Sequence, residues 1–212
     1  MKPTDFFIGA MEFFAILVPG AVLAFLLMPW RGAVFGPLLP AVEPGLAGWV
    51  AFAVVAFVLG HVLHHAGSVL DTLYDREVRR RRRFGDEWAY ARAKAVIRRR
   101  HGIDDRADVS YFQWAGSAVR ARSDAAAAEL DRNGGESKFF RSLSLTSALA
   151  AVLWVGQGQW VAAAAAALLA WFSYRRFVKR RWDATQLTYQ YYLLLEDGGS
   201  AGAESAARPA GG

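Results

Sequence analysis

The stretch Gly60-His61-Val62-Leu63-His64-His65-Ala66-Gly67-Ser68-Val69-Leu70-Asp71 joins two kinds of sequence. Before it, from Pro44, the chain carries no formal charge; after it comes a polar segment containing Arg79, Arg80, Arg81, Arg82 and Arg83. The stretch also holds three of the chain's 4 histidines. An uncharged run of this length fits a bilayer better than a globular core. The histidines therefore mark the place where a membrane helix passes into a basic, water-facing segment.

The rest of the sequence repeats this blockwise pattern. Of 212 residues, 54% are hydrophobic and 21% charged, and the charges sit between the apolar blocks. Phe13 to Trp30 is uncharged, and with Phe6 to Glu12 it is long enough for about 30 Å of hydrocarbon. Lys2 is the one positive side chain before it, and Asp5 and Glu12 are present, so it reads as a retained span rather than a cleaved signal. A second span runs from about Gly48 to Leu70, with Ala56 and Gly60 as a small-xxx-small pair suited to close helix contact. Between Arg141 and Arg175 lie 33 uncharged residues interrupted by Gly156-Gln157-Gly158. They read as two slightly short spans, Phe139–Val155 and Gln159–Phe177, with a re-entrant hairpin that does not reach the far side as the alternative. With no cysteine, disulfides, thiolate metal sites and cysteine nucleophiles are excluded.

The orientation follows from two independent patterns. Lysine and arginine concentrate in residues 71–141 and after Tyr174, which places both on the cytoplasmic side. Trp30, Trp49, Trp154 and Trp160 all fall at the opposite ends of the spans, where indole rings favour the interface. The expected fold is all-α: four transmembrane helices in two hairpins, with a basic helical cytoplasmic insertion and both termini cytoplasmic, in the cell (inner) membrane. The boundaries are residues 1–75 for the first hairpin, 76–138 for the basic module, 139–196 for the second hairpin with a helical cytoplasmic extension, and 197–212 for a Gly/Ala/Ser-rich disordered tail. Within the module, one helix is expected over Asp86 to His101, closed by Gly102. A second is expected from Val109 to about Arg132, closed by Asn133-Gly134-Gly135.

Three groups of residues are candidates for function. At 100° per residue, His61, His64, His65, Ser68 and Asp71 share an arc of roughly 120° with Thr72 and Asp75. Helix rise puts Glu12 at about the same depth, roughly 9 Å inside the membrane, so a Glu12–histidine pair is expected there. Such a face serves as a polar seam that holds the bundle, or as a proton, ion or metal site. The seam requires nothing further. The arginines 79–83 suit anionic lipid headgroups at about 1 kcal/mol each; nucleic acid is not expected, because no recognised binding module accompanies them. Val178, Trp182, Thr185, Tyr189 and Tyr192 recur at helical spacing and form a packing or self-association stripe.

His61-Val62-Leu63-His64-His65 has the form H-x-x-H-H and resembles one histidine box of the membrane di-iron desaturases and hydroxylases. That chemistry takes several such boxes, and this chain has only His101 besides. The resemblance stops at five residues and implies no membership. No phosphate loop, Ser-His-Asp order or paired catalytic carboxylates appear, so no catalytic residue, cofactor or metal is assigned. The expected function is non-enzymatic: a scaffold, sensor or membrane effector that self-associates or binds a protein partner. The alternative is a small channel or transporter using the Glu/His face, with a metal-dependent membrane enzyme behind it.

Overall fold

The computed structural model describes residues 3–28, 45–81, 88–103 and 109–206, with side chains for 13–28, 45–77, 88–103 and 109–197. Among these the fold is all-helical, with no strand. The helices are α1 (Pro3–Leu27), α2 (Leu46–Ala66), α3 (Ser68–Arg81), α4 (Trp88–His101), α5 (Tyr111–Arg122), α6 (Asp124–Gly156) and α7 (Trp160–Ala206). Three stretches are long and apolar enough to cross a membrane: Leu46–Glu77, Asp124–Gly156 and Trp160–Asp197. Phe13–Leu27 is a shorter apolar stretch. The chain divides into two units, residues 1–75 with 134–181, and residues 76–133 with 182–212.

In the first unit, α1 and α2 meet backbone to backbone. A Cβ on Gly20 would lie 1.9 Å from the Ala56 carbonyl oxygen, and one on Gly60 would lie 2.1 Å from that of Ile16. Neither position has room for any side chain. Ala15, Ala24 and Ala56 are buried in the same unit. Contact this close gains dispersion energy that lipid cannot match, which is why small residues line membrane helix interfaces. The predicted Ala56–Gly60 pair is thus in use, and Gly20 is its counterpart on α1.

Gly67 separates α2 from α3 without breaking their path. Its φ of −60° is right-handed helical, and its N–H donates to the Leu63 carbonyl at 2.8 Å. Farther along the chain, α6 ends at Gly156 and α7 begins at Trp160; between them Gly158 takes φ +73°, a conformation that favours glycine. Ser144 Oγ donates to the Ala170 carbonyl at 3.0 Å, and Arg180 pairs with Glu136 at 2.7 Å. The residue numbers in each pair rise on α6 as they fall on α7, so these segments run antiparallel. Val152 is 69% exposed and Val161 87% exposed, with Leu168, Trp171 and Phe172 also outward. In water so much exposed apolar surface would be a liability; in a bilayer it is ordinary.

The second unit has its own apolar core. α4 contributes Ala89, Ala93 and Ile97, spaced four apart on one face, and α5 contributes Ala115 and Val119. The early part of α6 adds Ala126 and Leu130, and the late part of α7 adds Tyr189, Tyr192 and Leu193. Small residues on α4, α5 and α6 make room for the tyrosines. Tyr90 and Phe112 stand edge-on to Tyr189 at 5.3 and 6.3 Å. Gly102 closes α4 with φ +62°, and the Ile103 N–H reaches back to the Arg98 carbonyl at 3.2 Å, as a glycine-closed helix end requires.

Two sequence expectations about helix limits are corrected. The helix expected over Val109 to Arg132 is broken at Ser123, whose backbone is extended (φ −148°, ψ 107°) and whose hydroxyl accepts from the Ala126 N–H at 3.3 Å. Ser123 thereby caps α6. Asn133-Gly134-Gly135 does not end the second helix. α6 runs through it, and the Asn133 side-chain amide donates to the Glu129 carbonyl one turn back at 3.0 Å. A stop signal of this kind weighs about 1 kcal/mol per glycine, which packing along a long helix exceeds. At the other end, α7 continues to Ala206, into the Gly/Ala/Ser-rich stretch.

Candidate functional site

The polar centre of the first unit is built around Arg141. Its side chain is 10% exposed, at the start of the apolar part of α6. Nη1 donates to Asp71 Oδ2 at 2.5 Å, and Nη2 donates to the His64 carbonyl at 3.2 Å. The same Nη2 lies 3.4 and 3.3 Å from the two ring nitrogens of His64. Gly67 provides the space. A Cβ there would stand 3.1 Å from the Leu63 carbonyl oxygen and 3.2 Å from Arg141 Nε. Asp71 has a second partner, Arg181 of α7, with Nη1 3.2 Å from Oδ1. Arg181 also lies over the Tyr74 ring at 5.2 Å, and Tyr74 packs against Phe177 at 5.9 Å. One carboxylate on α3 thus joins guanidinium groups from α6 and α7. Ser142, Thr146 and Ser173 are buried in the same unit, and Thr146 Oγ1 donates to the Ser142 carbonyl at 2.9 Å.

Of the predicted polar face, the structure brings together His64 and Asp71. His61, His65 and Ser68 are exposed, and His61 stands edge-on to Phe57 at 4.5 Å. The predicted arc is therefore split by Arg141, which gathers its inner members. Among the described residues no group of three or more His, Cys, Asp or Glu is placed to hold a metal ion. The Glu12 side chain lies outside the described residues, as do the side chains of Arg79, Arg80 and Arg81 and the whole of Arg82 and Arg83. In the packing stripe, Tyr189 and Tyr192 belong to the core of the second unit, Trp182 is buried, and Val178 and Thr185 are half-buried.

Arg141 and Arg181 were not among the sequence candidates. Arg141 stands at the edge of an apolar run and Arg181 in the basic stretch that follows it, where positive charge already satisfies the topology rule. The missing signal was Asp71 itself, an acid at membrane depth that requires a cation at the same depth.

The second unit holds a different arrangement. The Glu196 carboxylate, 9% exposed, receives Arg100 of α4 and Arg122 of α5. The Tyr191 hydroxyl donates to Glu129. Beside Glu196 opens a cavity of about 660 Å³, bounded by α4, α5 and α7. Its lining includes His101, Trp114, Ser117, Arg122 and Tyr192.

Comparison with protein-family models, with curated proteins and with solved structures finds no match. The functional reading rests on the residues.

Proposed function

We propose that the chain is a polytopic membrane protein of four spans in two hairpins, with both termini cytoplasmic, and that it acts without catalysis as a scaffold, sensor or membrane effector. One observation carries the reading: α6 and α7 are continuous helices that each contribute to both units. Residues 124–133 and 182–197 belong to the unit with the module core, and residues 134–156 and 160–181 to the unit with the apolar surface. The span edges support the topology, since Trp49 and Trp160 begin their helices 65% and 68% exposed, as interfacial indoles do. Arg175, Arg176 and Lys179 add exposed positive charge on α7 for anionic headgroups.

The polar cluster fits a seam better than a reaction centre. Asp71 is paired with two arginines, and Arg141 reaches both Asp71 and the His64 carbonyl, so the charged groups of the cluster are engaged with one another. Assembly is the second half of the proposal. The full chain purified in mild detergent is expected to show a discrete oligomer, or a stoichiometric protein partner, by native mass measurement. A clean monomer with no partner overturns it. The channel or transporter alternative draws on exposed His61 and His65, which Arg141 does not engage; proton flux in liposomes that changes across the histidine range near pH 6.5 would favour it.

A further inference from the structure

The outward side of α2 and α3 carries polar groups where lipid offers them no partner. Val58, His61, His65, Ser68, Thr72 and Asp75 recur at alternating spacings of three and four along one helical path, and all six are exposed. A repeat averaging about 3.5 residues is the stripe by which one helix packs along another. The chain's own helices use the other side of this path, where Ala56, Gly60, Leu63, Gly67 and Tyr74 are buried. The polar stripe is therefore left facing outward.

Depth makes that exposure costly. Measured from the interfacial Trp49 at the start of α2, helix rise puts His61 about 18 Å and His65 about 24 Å along the span, within about 30 Å of hydrocarbon. Ionisable side chains at such depth face a partner rather than lipid. His64 follows this rule inside the chain, against Arg141. The edge-on contact of His61 with Phe57 satisfies neither ring nitrogen, because Phe57 has no polar atom.

A second copy of the chain supplies the partner. Inserted the same way, it presents the same groups at the same depths, and a two-fold axis along the bilayer normal sets each residue of the stripe against its own counterpart. The neighbouring charges Asp75 and Arg76, both exposed, make the end of the stripe self-complementary. His61 and His65 are one helical turn apart, the spacing that lets two imidazoles share one ion. Two copies bring four imidazoles together, and four nitrogen ligands in a tetrahedron suit zinc. One copy supplies half of that set, in keeping with the lack of a three-ligand cluster among the described residues. Ser68, Thr72 and Asp75 continue the stripe toward the arginine run and give a cation a polar way in.

We infer that two copies of the chain pack in parallel along this stripe, and that His61 and His65 of both copies together hold one zinc ion. The inference rests on the self-association half of the proposed function and names the contact.

The test titrates the full chain in mild detergent, first stripped of metal by a chelator, with Zn²⁺ alone. Elemental analysis and native mass on the same sample are expected to give one zinc per two chains. Losing only the hydrogen-bond partner of a metal ligand costs about 10–100-fold in affinity. His61→Ala and His65→Ala, each removing half the ligands themselves, are therefore expected to weaken zinc binding by at least about 100-fold. His101→Ala, in α4, is expected to leave it unchanged. No stoichiometric zinc, one zinc per chain, binding unchanged by His61→Ala or His65→Ala, or binding lost equally in His101→Ala overturns the inference. Oxidative cross-linking in membranes checks the contact without metal and without touching the histidines. Ser68→Cys, on the stripe, is expected to form a disulfide-linked dimer, whereas Leu73→Cys, 45% exposed but off the stripe, is not. No cross-link at Ser68→Cys, or equal cross-linking at both positions, also overturns it. An oligomer, or a complex with another protein, that binds no zinc and does not cross-link through Ser68→Cys removes this inference and leaves the assembly reading standing. A monomer without a partner removes both.

Discussion

Asp71 shows how much depends on one side chain. Its carboxylate is 24% exposed and holds Arg141 at 2.5 Å and Arg181 at 3.2 Å. Removing one member of a buried ion pair leaves the other charge without compensation, typically at about 3–5 kcal/mol. Asp71→Asn and Arg141→Met are each expected to lower thermal stability in detergent by that order. The double variant is expected to lose less than the sum of the two, since the stranded charge is gone. If both single variants melt with the parent, the cluster does not hold the unit. The helical arc over residues 61–71 made His64 and Asp71 legible in the sequence. It could not show which of its members turn inward, because periodicity gives a shared face but not the neighbour opposite. That neighbour, Arg141, lies 70 residues away in the chain.

At the scale of elements, glycine has opposite meanings at two places. At the α1–α2 contact, Gly20 and Gly60 have no room for a methyl group. Gly60→Leu is expected to force the helices apart and to prevent recovery of folded protein, measured by monodisperse yield in detergent. A well-folded Gly60→Leu protein would contradict the contact. Gly134 is the reverse case. It lies within α6, and a Cβ there meets no atom within 4 Å. Gly134→Ala is expected to raise stability by about 0.5–1 kcal/mol through helix propensity and a less disordered unfolded chain. Had the helix ended at Asn133-Gly134-Gly135 in a left-handed cap, the same change would destabilise. The sign of the shift in melting temperature therefore reads the continuity of α6. The sequence favoured an end there because Asn-Gly-Gly is a strong local stop, and it hid the true break because Ser123-Asp124 looks like an ordinary surface pair within an alanine-rich helix. What favours continuity through Asn133-Gly134-Gly135 is the spacing of buried Asn133, Ser137 and Arg141, four apart along α6, which an unbroken helix places on one face.

For the whole molecule, the apolar blocks made the helical class and the membrane location readable at once, since run length and charge alone carry that information. The division of labour along α6 and α7 was less readable. Each helix is apolar in one part and amphipathic in another, and only packing shows that their far ends build a second core with α4 and α5. The account depends on that core being cytoplasmic while the Gly156–Gln159 turn faces the other side. The chain has no cysteine, so single cysteines report position without background. The direct measurement is labelling of intact cells with a membrane-impermeant maleimide, for Gln157→Cys in the turn and Ala121→Cys on the exposed face of α5. The account predicts that Gln157→Cys is labelled in intact cells and Ala121→Cys only after permeabilisation. Labelling of Ala121→Cys in intact cells, or protection of Gln157→Cys there, would contradict it.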